Sequence, residues 1–486
     1  MHTGALASSG FASRGRAGPD LGSLARACGG LIAAAAVGAL SVSRPFWALA
    51  LVGALVIAIL IAARVGFLLV LLVLSMFVES LSLGGGFAVG RLAGAFAFVV
   101  IAYMMFARGH TGLRQNALLI AAGCYGVWMV LSVYWASSAG AVFQQLLSYA
   151  LAVAYMLSFA LLVRSRRDLR AILATFTLGA FVFGLVALAE YLSTGGAVRA
   201  SGLQGDPNYF AEYQVIALPA VLALAALERR WRLACYGVAA VIILSVVSSL
   251  SRGGLVALVL VVAATIVLPR RTFFVSAKEK ALYAFALVLG ILVSLSLGSG
   301  TLLARVGSIF HPGADKGSGR LDLWSAAWRA WKLHPWLGIG GGNFPVRSLE
   351  LLQTTPGVNT AASYVAAGRE VHNAYLETLT ELGPLGLLLF LLVIALTASS
   401  FVMAFRRARA AGDTYLARVA ISLFFSLMVY AVTAFFLSSE LQKPLWILVG
   451  IAVALETMSR RLPVLSTSRR HPKGVDAGTS FSFGRS

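Results

Sequence analysis

Two arginines and a histidine have the most chemistry to offer in this sequence. Arg252 stands in SLSRGGL (249–255), Arg320 is second in GRLDLW (319–324), and His372 stands in VHNAYLETLTELGPLG (371–386). Arg252 lies at the junction of two apolar runs, and an arginine beside hydrocarbon is costly to place and tends to mark function. Its planar fork of donors fits a pair of phosphate oxygens better than a lysine would; the alternative is an anchor to lipid headgroups. Arg320 and Arg329 are either anion ligands or solvated helix charges. A neutral imidazole at a water boundary is the best general base on offer, although a histidine satisfied at a helix start is the commoner case. Together the three would suit transfer of a group away from a phosphate.

Other polar residues lie close to these three in the pattern. In GLQGDPNYFAEY (202–213), Asp206 followed by Pro207 reads as an N-cap with proline at the first helical position. That places the positive end of a helix dipole there, with Asn208 and Glu212 on one face. From Gly319 a helix carries Leu321, Trp324, Trp328 and Trp331 at offsets of 0, 3, 7 and 10, a stripe expected to lie along a membrane surface. His334-Pro335 ends that helix. GIGGGN (338–343) then supplies backbone able to approach a ligand closely, or a hinge. A further helix is expected over 373–382, with Glu377 and Glu381 one turn apart. Asp206, Asn208, Arg329, Asn343, Asn373 and Glu377 are the expected substrate-binding residues. No HExxH or cysteine cluster is present, so neither a metal nor a cofactor is expected. Cys28, Cys124 and Cys235 read as small core residues.

The elements that must position these groups are membrane helices. Of 486 residues 59% are hydrophobic and 12% charged, with a mean hydropathy of +0.87, against about 25% charged in soluble domains. At about 20 apolar residues per crossing, the chain offers fourteen candidate spans, or twelve if short neighbours merge. They are Gly29–Val42, Pro45–Ala63, Val65–Leu83, Ala88–Ala107, Asn116–Ala136, Ala141–Val163 and Leu169–Tyr191, then Tyr209–Leu227, Leu233–Leu250, Gly253–Pro269, Ala281–Gly298, Leu385–Phe405, Leu416–Phe436 and Pro444–Met458. The expected fold is therefore an all-α polytopic membrane protein of 12–14 transmembrane helices.

Charge orients it. With the N-terminus inside, 27 of the 39 Lys and Arg residues face the cytoplasm, including those of RSRRDLR (164–170) and RRWR (229–232). Twelve face out, seven of them in one large loop. Short outer connections are thus poor in basic residues, as the orientation rule requires. The net charge of +21 is explained by that rule, and no nucleic-acid partner is expected. The expected organisation is a cytoplasmic tail (1–28), a helix bundle (29–298), an extracytoplasmic loop containing short helices (299–383), C-terminal membrane helices (384–458) and a disordered cytoplasmic tail (459–486).

The motifs DPN (206–208), SRGG (251–254), GRLDLW (319–324), PWLGIGGGNF (335–344) and HNAYLETLTELGPLG (372–386), in that order, resemble the O-antigen ligase-like superfamily of bacterial membrane glycosyltransferases. That group includes O-antigen ligases and O-antigen or exopolysaccharide polymerases. The resemblance implies a multi-pass protein of the bacterial inner membrane that acts on its outer face. Its donor would be an undecaprenyl-diphosphate-linked glycan; its acceptor would be another glycan or a lipid A-core. It implies that Arg252 and Arg320 hold the diphosphate and that His372 helps the acceptor hydroxyl attack the anomeric carbon, by an inverting, metal-independent transfer. Membrane lipid and other polysaccharide-assembly proteins are the implied partners. Fourteen spans exceed the twelve usual for the ligases.

Two other functions compete. A flippase or transporter would need charged residues along a pathway through the bilayer, and Glu79, Glu190 and Glu212 all fall near span ends. A SEDS-type peptidoglycan polymerase would need a functional outer aspartate, for which Asp315 and Asp322 are weak candidates.

Overall fold

A computed structural model describes residues 65–78, 89–108, 116–267, several positions between 274 and 288, 319–360 and 365–463. The expected spans Gly29–Val42 and Pro45–Ala63, most of Ala281–Gly298, and the loop up to residue 318 lie outside the described residues. So do the first 28 residues and the chain beyond 463.

Helices make up the described chain, and no strand occurs among the described residues. In order they are α1 (Val65–Phe77), α2 (Val89–Arg108), α3 (Ala117–Leu131), α4 (Ala139–Leu162), α5 (Arg166–Ser193), α6 (Pro207–Leu227) and α7 (Arg232–Ser248). Then follow α8 (Arg252–Val267), α9 (Arg320–Leu333), α10 (Asn343–Thr354), α11 (Ala374–Ala410), α12 (Thr414–Thr433) and α13 (Lys443–Arg460). Seven helices among the described residues are long and apolar enough to cross a membrane, and three shorter ones are apolar. The protein is an all-α polytopic membrane protein, as its composition requires.

Local sequence sets the boundaries. Asn116, Ser138, Asp206, Asn373 and Asp413 each cap a helix by accepting a backbone N–H in its first turn. Ser165 and Asp168 form a reciprocal capping box at the start of α5. Gly383, with φ 69°, and Pro384 interrupt α11, so the helix expected over 373–382 and the span expected from Leu385 are one kinked element.

The post of the bundle is α6, whose residues from Phe210 to Ala226 are all buried. It packs against α5, α7, α8 and α12, while α13 packs against α4, α11 and α12. Apolar surface has little reason to leave lipid for another helix, so close approach and polar links must hold such a bundle together. A methyl group at Gly450 of α13 would lie 2.3 Å from the carbonyl oxygen of Met156 in α4, a separation only glycine permits.

The two ends of the bundle differ. At one end lie the ion pairs Arg166–Asp413 (2.7 Å), Arg170–Glu228 (3.4 Å), Arg232–Glu279 (2.6 Å) and Arg460–Glu456 (2.7 Å). At the other lie the N-termini of α6, α8 and α11. Over that end α9 and α10 form a layer with its own small core of Leu323, Ala326, Ala327, Ala330, Phe344, Leu352 and Val371.

Candidate active site

Asp206 begins the site. Its carboxylate accepts the backbone N–H groups of Asn208 (2.6 Å) and Tyr209 (3.2 Å), which fixes the first turn of α6. Arg199 then ties that turn to the next pair of helices. It donates from Nη2 to Asn208 Oδ1 at 3.1 Å and from Nε to the carbonyl of Ser249 at 2.8 Å. Ser249 lies three residues before Arg252, the first residue of α8. The glycines after Arg252 face the same end: methyl groups on Gly253 and Gly254 would run into Phe436 and Ala211.

His372 sits just before α11. It has φ 56°, in the left-handed region. Leu250, two residues before Arg252, is the other non-glycine with positive φ among the described residues. Such strain costs about 1–3 kcal/mol and persists where surrounding structure over-determines it, commonly at functional sites. Here the restraint on His372 is visible: its N–H donates to Ser438 Oγ at 3.0 Å, and Ser438 in turn bonds Glu377. The imidazole is largely buried, and Nδ1 has no hydrogen-bond partner.

Burial, followed by the positive charge of Arg320, pushes His372 down from its ordinary 6.5 to about 4. Asp206 opposes that shift and Arg369 adds to it. The charges felt most strongly by the imidazole therefore include two expected site residues, from α9 and the cap of α6. Position 372 consequently holds a neutral base beside arginines. Next to it, Glu370 Oε2 lies 3.1 Å from the Tyr209 hydroxyl, which also lies 3.0 Å from the Ser438 carbonyl. Burial, opposed by that hydroxyl and reinforced by Asp206, raises Glu370 above the usual carboxylate range.

Not every expected residue joins this cluster. Asn343 is fully buried. Its Oδ1 accepts from Ser137 Oγ and from the N–H of Ser138, both at 2.8 Å, and its Nδ2 donates to the Gly341 carbonyl at 2.9 Å. Its amide is thus spent on holding α10 to the start of α4. Asn373 caps α11 from a buried position. Glu377 is buried too and meets Ser438, so it acts on His372 from behind. Arg329, two and a half turns beyond Arg320, is half-buried with Nη1 lacking a hydrogen-bond partner.

The glycine-rich run is tied down by its own hydrogen bonds. Its N–H groups are already taken. Ile339 donates to the Thr380 carbonyl, Gly340 to that of Glu381, and Gly341 to Ser132 Oγ. The Glu381 carboxylate accepts from Gly342 N at 2.8 Å, Phe344 N at 3.0 Å and Gln145 Nε2 at 2.9 Å. The glycines permit contact: a methyl group on Gly340 would lie 2.3 Å from Ala136 Cβ. Glu381, expected one turn beyond Glu377, is the buried cap of this seam.

The tryptophan stripe of α9 also divides. Leu321 and Trp328 are exposed, whereas Trp324 packs on the small core beneath. Trp328 and Trp331 contact each other with centroids 4.6 Å apart.

Sequence reasoning missed Arg199, Tyr209, Arg369, Glu370 and Ser438. A buried network of this kind leaves no local pattern, although Arg369 and Glu370 lie within three residues of His372.

No curated protein matches the chain significantly. Residues 237–391 match the family model described as O-antigen ligase, a stretch that contains Arg252, Arg320 and His372 but ends before Ser438. Over those residues the chain is similar to the O-antigen ligase family, in agreement with the superfamily that its motifs resemble.

Proposed function

We propose that the chain is a membrane glycosyltransferase that moves a glycan from an undecaprenyl-diphosphate carrier to a sugar hydroxyl, as a polymerase or a ligase, on the outer face of the bacterial inner membrane. The observation that carries this reading is the neutral, unbonded Nδ1 of His372 beside Arg320, Arg369 and Asp206. The family match over residues 237–391 supports the reaction class.

In this mechanism Arg320 and Arg252 hold the donor's diphosphate. Charge-assisted bonds in a water-poor site stabilise the charge that develops as it leaves. The acceptor hydroxyl donates to His372 and its oxygen attacks the anomeric carbon. The glycosidic bond to phosphate breaks, the diphosphate leaves with the electron pair, and the proton passes to the imidazole. The product is inverted.

A base held near 4 is weak, because an effective one titrates near the working pH. Donor binding would offset part of this. Burial depresses His372 most, and a diphosphate placed on the arginines would cancel the positive charge that adds to it, so the imidazole would gain basicity when the donor is present.

The test uses a strain that lacks the native copy and carries Arg252→Ala, Arg320→Ala or His372→Ala, with membrane insertion verified by immunoblot. Each variant should lose glycan transfer. Normal polymer or ligated product in all three would sink the mechanism. Glycan analysis of the deletion strain separates the two activities: single repeat units on the anchor indicate a polymerase, and full-length chains stranded on the carrier indicate a ligase.

A further inference from the structure

At the end of the bundle away from His372, a cavity of about 950 Å³ opens between α5, α6 and α7. We infer that it binds an anionic phospholipid, with one acyl chain in the fissure and the phosphate at Arg167 and Arg170.

Shape and chemistry point to a lipid chain. The deep part is lined by apolar groups such as Leu178, Phe181, Val238 and Val241. From Arg167 to Phe181 the wall of α5 rises about 21 Å, more than the ~15 Å of hydrocarbon in one leaflet. Gly237 lies on the facing wall, and a methyl group there would meet nothing within 4 Å, so the space is open up to the backbone of α7.

Charge at the mouth selects the headgroup. Arg167 is exposed and has no ion-pair or hydrogen-bond partner among the described residues. Arg170 lies 3.4 Å from Glu228, the one carboxylate of the lining, and offsets it. The guanidinium of Arg230 lies over the ring of Trp231 at 5.5 Å, and that tryptophan is half exposed at the rim. A tryptophan and several arginines at the end of an apolar slot form an interface built for a negatively charged headgroup. The orientation rule accounts for the number of arginines but not for their position around a slot.

Native mass spectrometry of the full-length protein, titrated with phosphatidylglycerol or phosphatidylcholine of matched chains, tests the inference. The wild type should retain phosphatidylglycerol at lower concentration. Arg167→Ala should weaken that lipid about fivefold, the value of one arginine at an anionic surface, and weaken phosphatidylcholine, whose choline offsets its phosphate, by less. Gly237→Phe, which fills the slot, should lose the retained adduct of both lipids, while Gly123→Phe, at an equally open position on α3, should lose neither. Equal retention of the two lipids by the wild type, or undiminished phosphatidylglycerol adducts in Gly237→Phe, would overturn it.

Discussion

The backbone N–H of His372 donates to Ser438 Oγ at 3.0 Å, so the proposed base is held by a residue 66 positions further along the chain. The same hydroxyl meets the buried Glu377 carboxylate. Ser438→Ala should therefore release a strained backbone and leave a buried carboxylate short of a donor, at a cost of about 1–3 kcal/mol. If Ser438 positions the base, kcat should fall about tenfold or more with KM little changed, and Ser438→Thr should restore most of it. A fall in stability with kcat intact would make the serine purely structural.

His372 should titrate far below a free histidine. In the unfolded chain it takes up a proton near 6.5, in the folded protein only near 4. Between those values the unfolded state binds more protons, so this residue's contribution to stability falls as pH drops from 6.5 towards 4. His372→Gln should remove that part of the slope in thermal unfolding scans. Arg320→Gln removes a charge that depresses the pKa and should move the titration upward, as followed by NMR of labelled histidine.

Donor binding should have the same sign. With undecaprenyl diphosphate present, the His372 titration should shift up, because the ligand's negative charge offsets Arg320 and Arg369. An unchanged or lowered value would separate the diphosphate from the histidine and contradict the proposed donor site.

Gly383 and Gly123 should respond in opposite ways to a methyl group. At Gly383, φ is 69° and the added carbon would lie 2.2 Å from the Trp336 carbonyl, so Gly383→Ala should lower the unfolding temperature in detergent and weaken activity. Gly123 is an open, exposed position inside α3. Gly123→Ala should gain up to ~1 kcal/mol from helix propensity.

Much of this arrangement could be read from the chain. Most described spans start and stop within a few residues of their expected places, because apolar length and caps such as Asp206 are local properties, although α11 begins eleven residues before Leu385. The order of Arg252, Arg320 and His372 was legible as motif order. The purpose of GIGGGN was not, since it depends on Glu381, some forty residues away, consuming the N–H groups of Gly342 and Phe344. Helix α10 went unseen because Pro345 in its first turn and the glycines before it read as continuing loop. Tyr209 and Glu370 were missed because their meeting exists only once α6 and the segment before α11 are packed together.

The seam around GIGGGN also fixes one side of the site. Five consecutive amides from Gly338 to Gly342 are bonded, and Trp135 and Trp128 donate to the carbonyls of Leu337 and Leu382 on either side of the joint. The layer of α9 and α10 is thus a bolted roof. Under the proposed function, the donor would therefore reach Arg320 and His372 from the side, with its carrier still in the bilayer, and not through this layer.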